Sequence, residues 1–184
     1  MFKLKDKVVY PGHGVAVVDE IIERNIGGNA VSFFKLVFLF KEMNILVPVY
    51  NSECIGIRYP SDETVIEAAL EELSKKPEKK LESVDFTPSG WNRRNKEYQL
   101  KIQSGKMLDI AKVYRDLMHI AQQKELSFGE RTLLTVLEEL MAQEIQVVRS
   151  IARDAAIQEL RSTFKQHSFF SSVTWIEHAA PSVG

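Results

Sequence analysis

The chain has 184 residues, 45% of them hydrophobic and 27% charged, with a formal net charge of −1. That size and balance describe one or two folded domains rather than a disordered chain, and argue against a protein that coats DNA through bulk positive charge. The single cysteine, Cys54, excludes an intramolecular disulfide framework and a cysteine-based zinc site, and fits a reducing compartment.

In chain order, the first part reads as all-β. Lys7 to Tyr10 is a short strand, and Pro11-Gly12-His13-Gly14 is a turn. Val15 to Val18 opens a second strand that continues through Ile21-Ile22. Asn25-Ile26-Gly27-Gly28-Asn29 signals a hairpin, because Gly and Asn tolerate positive φ. Val31 to Phe40 is the longest strand. Asn44 to Val49 follows, with Pro48 marking an edge or bulge, and Ile55-Gly56-Ile57 closes a set of five. Short strands in this number suggest a small SH3- or Tudor-like barrel.

The pattern then becomes helical. Ser61 or Asp62 caps a helix through about Ser74, with Val65, Ile66, Ala69, Leu70 and Leu73 on one face. Lys75 to Pro88 reads as a loop. A second helix starts near Pro88, a residue suited to a first helical turn, and Gly105 is placed to end it. A third runs from about Met107 to Gln123. Ser127 and Glu130 have capping-box spacing and open a long helix toward Phe164, with a bend or split expected near Ser150. The fold class is therefore α+β with two domains: residues 1–58 form the barrel, residues 61–164 an all-α domain of about four helices, and residues 165–184 a flexible tail carrying Phe169, Phe170 and Trp175.

Charge is unevenly spread. Residues 61–85 hold eight Asp/Glu against four Lys, whereas residues 91–131 hold nine Lys/Arg against five Asp/Glu. At the start of the second helix, Trp91 stands in the run Trp91-Asn92-Arg93-Arg94-Asn95-Lys96. Arginines hold phosphates and a flat apolar ring pushes against a base step, so this run is the candidate nucleic-acid reader. Its alternative is a tryptophan packed at a domain junction beside solvated arginines.

Other chemistry is missing from the pattern. The four histidines, His13, His119, His167 and His178, make no cluster with metal-ligand spacing. No phosphate-cradling Gly-rich loop leads into a helix, and Gly12 and Gly14 read as turn geometry. Glu71-Glu72 and Glu138-Glu139 are adjacent and point to different helix azimuths. The expectation is a protein without enzymatic activity, cofactor or metal. No apolar segment follows Met1, and the stretch Val31 to Phe40 is too short to span a bilayer, so a cytoplasmic protein with no membrane partner is expected.

Three stretches share a resemblance. Lys7-Val8-Val9-Tyr10-Pro11-Gly12-His13-Gly14 resembles the N-terminal signature of the bacterial CarD/CdnL family. Trp91-Asn92-Arg93-Arg94 followed by Lys96-Glu97-Tyr98 looks like that family's tryptophan motif, and Leu126-Ser127-Phe128-Gly129-Glu130-Arg131 is similar to its third hallmark. The N-terminal part also resembles the polymerase-binding module of transcription-repair coupling factors. The resemblance implies a Tudor-like domain that binds the RNA polymerase β subunit, and a helical domain on promoter DNA at the upstream edge of the bubble. It implies a minor-groove wedge at Trp91 that stabilises the open complex. It places Arg93, Arg94, Lys96 and Arg131 near the DNA backbone and Arg24 at the polymerase, with Leu46 standing where some members have a second polymerase-contacting arginine. A monomer tethered by polymerase, with little base specificity, is the expected working form. The competing reading is a protein-interaction adaptor that never touches DNA.

Overall fold

Alternating apolar residues build the first part of the molecule. In the computed structural model, which describes residues 1–76 and 85–167 with side chains through Phe164, β1 (Lys7–Tyr10), β2 (Gly14–Ile26), β3 (Asn29–Phe38) and β4 (Asn44–Pro48) form one antiparallel sheet in sequence order. Val8, Ala16, Val18, Phe34, Leu36, Phe38 and Val47 point to one face and make its core with Ile57. A register shift between Val18 and Glu20 kinks β2 and helps curl the sheet. The β2–β3 arms are longer than the sequence suggested, because β2 continues to Ile26 before Gly27 and Gly28 turn the chain.

The expected fifth strand shrinks to a single bridge between Val9 and Arg58. The chain after β4 coils instead, through a 3-10 turn (Val49–Asn51) into a one-turn helix α1 (Ser52–Ile55). Gly56 ends that turn at φ 85°, a left-handed position that Gly adopts without strain. Of the proposed strand residues, Ile57 is buried in the sheet core and Ile55 packs against it partly exposed.

Five longer helices follow: α2 (Glu63–Leu73), α3 (Pro88–Gln103), α4 (Met107–Gln123), α5 (Phe128–Arg149) and α6 (Arg153–His167). Local chemistry sets their starts. Asp62 accepts from the Val65 N–H, Thr87 accepts from the Gly90 N–H ahead of Pro88, and Ser127 and Glu130 form a complete capping box. The long C-terminal helix does split at Ser150, which takes a left-handed conformation, φ 55°, and this makes five helices among the described residues of this part, where about four were expected. Helix α4 is the hub of the helical core, burying Met107, Ile110, Ala111, Val113, Tyr114, Leu117, Met118 and Ile120 against the other helices. The greater part of the Lys75–Pro88 loop and the tail aromatics Phe169, Phe170 and Trp175 lie outside the described residues.

The two parts meet at the Pro11–Gly14 turn. The Gln143 carboxamide oxygen on α5 accepts from the Val15 N–H at 3.2 Å, and a side chain on Gly14 would run into that same oxygen. Pro11 packs so closely on Gly105 that an added Cβ there would stand 2.9 Å from its ring. The turn read from the sequence as bare barrel geometry is thus the docking surface for the helices. Beside it, the Glu144 carboxylate on α5 receives both ends of the Arg58 guanidinium, at 2.7 and 2.9 Å, and the Ser61 N–H at 2.6 Å.

Candidate nucleic-acid and polymerase interface

The first turns of α3 and α5 lie side by side, and their caps fix the candidate site. Asp85 accepts from the Thr87 N–H and hydroxyl, and Thr87 in turn caps α3. The chain folds so tightly here that a Cβ on Gly90 would stand 2.3 Å from the Asp85 carbonyl oxygen. Only glycine fits, and the next residue, Trp91, is set by that corner. Its N–H donates to the Thr87 carbonyl at 2.9 Å.

The indole of Trp91 is half-buried. It packs on the helical core and crosses Gly129 at the start of α5, with Cζ2 and Nε1 each 3.3 Å from where a Gly129 Cβ would stand. Trp91 is thus neither free in solvent nor fully buried: its ring is anchored on the helical core and Gly129 while the residue stays partly exposed.

Glu130 ties the two turns together. Its buried carboxylate accepts from the Ser127 N–H and hydroxyl, each at 2.9 Å, from Lys124 Nζ at 2.6 Å and from Arg94 Nη2 at 3.2 Å. Burial alone would push this carboxyl up, but the bonds from Lys124 and Ser127 outweigh it and hold its pKa below the ordinary 4.5. A depressed folded value means the stabilisation is fully present above about 4.5 and disappears as pH falls through the lowered value. With Trp175 replaced by Phe, acidification should therefore change Trp91 fluorescence in that range, and Glu130→Gln should remove the transition. A transition that persists in Glu130→Gln would assign it to another carboxylate.

Arg94 departs from its sequence assignment. It is 8% exposed and spends its guanidinium on Glu130 and on the Asp85 carbonyl, so in this conformation it is turned away from any phosphate. Its i and i+4 relation to Tyr98, and to Ile102 beyond, places it on the buried face of α3. Arg93 and Lys96 lie on the exposed face. Arg131, one turn into α5, is partly exposed and pairs with Glu125 at 3.2 Å, a surface pair that is weak and readily exchanged for a phosphate. The structure therefore joins Trp91 to the first turn of α5, where Arg131 also stands, and leaves Arg93 and Lys96 on the exposed face of α3, away from the packed side of the indole.

Sequence reasoning missed two aromatics here. Phe128, the first residue of α5, is largely exposed, and Phe86 lies under the Lys124 ammonium at 5.5 Å. Phe128 sits inside the capping-box motif, whose sequence signal is carried by the flanking Ser127 and Glu130.

Arg24 and Leu46 lie on the sheet, remote in sequence but on one face. Arg24 pairs with Val31 and Leu46 with Lys35, and Val31 and Lys35 are four apart on β3. Directly paired residues project to the same side, so Arg24 and Leu46 share the face opposite Phe34 and Leu36, about 13 Å apart along the strand. Arg24 is exposed and Leu46 half-buried. β4 is the last strand of the sheet. Among the described residues no three His, Cys, Asp or Glu side chains gather as a metal site, and no helix is long and apolar enough to cross a membrane.

Comparison with known proteins follows the same division. The family described as CarD-like/TRCF RID domain matches residues 2–61, covering the curled, Tudor-like sheet, and the family described as CarD, C-terminal domain matches residues 78–161. A Bacillus subtilis (strain 168) protein named "Putative transcription factor YdeB" is 25% identical over 151 residues, which is 82% of this chain and 94% of that protein.

Proposed function

The chain belongs to the CarD family of transcription factors and carries an RNA-polymerase-interaction region, and from that premise we propose that it is a non-enzymatic regulator that holds promoter complexes open. The observation that carries the reading is Trp91: a partly exposed residue whose indole rests on Gly129, with Arg93 exposed on the same helix and Arg131 partly exposed in the first turns of the adjoining one. Arg93, Lys96 and Arg131 hold backbone phosphates, contacts that position without reading sequence. Trp91 enters the minor groove at the upstream edge of the bubble, where base steps are already partly unstacked and the cost of a wedge is low. Arg94 acts through its neighbours, fixing the α3–α5 corner from inside.

Polymerase supplies the recruitment. The β subunit docks on the outer face of the sheet, with Arg24 giving charge and orientation and Leu46 an apolar contact, and the end strand β4 is a template for a partner strand. Weak DNA contact joined to a tether is an effective-concentration device, and it suits a monomer with a net charge of −1. The direct test is open-complex lifetime on a matched polymerase with and without the protein. A longer lifetime is expected; an unchanged one refutes the reading.

Arg24 gives a separable prediction. Arg24→Glu should abolish co-purification with polymerase, because the exposed side chain reverses its charge at the contact, and should leave thermal stability and the affinity of the isolated protein for DNA unchanged. Full retention on polymerase would remove Arg24 from the interface.

A further inference from the structure

Resting on the reading of Trp91 above, we infer that Phe128 is a second DNA-contacting aromatic, whose ring stacks on bases of the melted promoter strand beside the step that Trp91 props open. Phe128 is 80% exposed, so it adds little to the core. A ring left in water at helix position N1 is not there for the helix, which any good first-turn residue would serve.

Its backbone is held by side-chain bonds on both sides. The capping box closes around it from Ser127 to Glu130, and Glu130 is tied in turn to Lys124 and Arg94. The adjacent residue is Gly129, whose missing side chain admits the Trp91 indole. The half-buried indole and the exposed phenyl therefore rise from neighbouring points of one rigid corner, a preorganised arrangement that spends little ordering entropy on contact.

Charge selects the occupant. Arg131 lies three residues beyond Phe128 on α5, Lys124 precedes the cap, and Arg93 stands two residues beyond Trp91 on α3. Of the nearby acids, Glu130 is buried and already bound to Lys124 and Arg94, and Glu125 is exposed and holds Arg131 at 3.2 Å in a weak surface pair that a phosphate can replace. A flat apolar centre with a cationic border fits a polyanion that exposes the faces of its bases. An intact duplex hides those faces, whereas a melted strand offers them, and base–aromatic stacking tolerates any sequence.

The experiment compares Phe128→Ala, Trp91→Ala and Phe128→Tyr in the full-length protein, with a photo-crosslinking amino acid placed at position 128 in a parallel sample. Phe128→Ala should keep the wild-type thermal midpoint, since the ring is exposed, and shorten open-complex lifetime about fivefold to tenfold, the low end of what a lost aromatic–base stack costs. Phe128→Tyr should restore the lifetime, and the crosslink should fall on promoter DNA next to the upstream bubble edge. If Trp91→Ala shortens the lifetime and Phe128→Ala leaves it at wild type, the inference about Phe128 is overturned and the wedge stands. Wild-type lifetimes in both variants overturn the wedge itself. A crosslink to a polymerase subunit instead of DNA also overturns the inference, assigning Phe128 to a protein contact.

Discussion

Trp91→Ala should shorten the promoter open complex about tenfold while the protein still binds polymerase. The magnitude follows from the role proposed for the indole: hindering re-annealing by ~1.4 kcal/mol changes the open population by that factor wherever the closed state dominates. Unstacking a step costs a few kcal/mol, and a partly melted edge has already met much of it, so a single ring suffices. The structure adds a control. Because the ring is half-buried on the helical core, its removal also leaves a partial cavity, and a drop in thermal midpoint is expected. Trp91→Phe keeps more of that packing with a smaller wedge. Open-complex lifetimes ordered wild type, Phe, Ala at equal polymerase occupancy support the wedge; lifetimes that follow only the thermal midpoints would reduce Trp91 to a packing residue.

Helix starts were legible because their causes are local. Asp62, Thr87-Pro88 and the Ser127–Glu130 box each satisfy N–H groups within three residues, so sequence spacing contains the whole interaction. The same holds for the hairpin at Gly27-Gly28. Ile55-Gly56-Ile57 misled because two apolar residues around a glycine satisfy the strand pattern as well as they satisfy the end of a helical turn; the decision lay with the left-handed φ of Gly56.

The site was legible in composition and not in depth. Trp91 and Arg93 announce themselves by type, but Arg94 differs from Arg93 only through partners 9 and 36 residues away, the Asp85 carbonyl and Glu130. Helical phase alone puts one of two adjacent arginines inward, and Tyr98 and Ile102 show which. Gly129 carried a similar hidden instruction: the capping box leaves its second helical position open to many residues, yet here a Cβ would crowd the indole at 3.3 Å and make it shift.

Glu144→Ala should be the most destabilising single change at the junction between sheet and helices. The carboxylate is 2% exposed and receives Arg58 at two points together with the Ser61 N–H. Removing one partner of a buried pair costs about 3–5 kcal/mol, because the other charge is left uncompensated. Arg58 keeps its bonds to the Gly105 carbonyl and is partly exposed, which favours the lower end of that range. The sequence held half of this: Glu144 falls seven residues after Leu137 on the apolar stripe of α5, a polar residue where a core residue belongs, but Arg58 is 86 residues away. The functional consequence is the sharper one. If the sheet tethers and the α3–α5 corner wedges, the Arg58–Glu144 pair sets the angle between them, and loosening it lowers the effective concentration of Trp91 at the bubble without touching either contact. Glu144→Ala should therefore retain polymerase binding below its melting temperature and lose most of the open-complex stabilisation. A variant that is less stable but fully active would show that the tether needs no fixed angle.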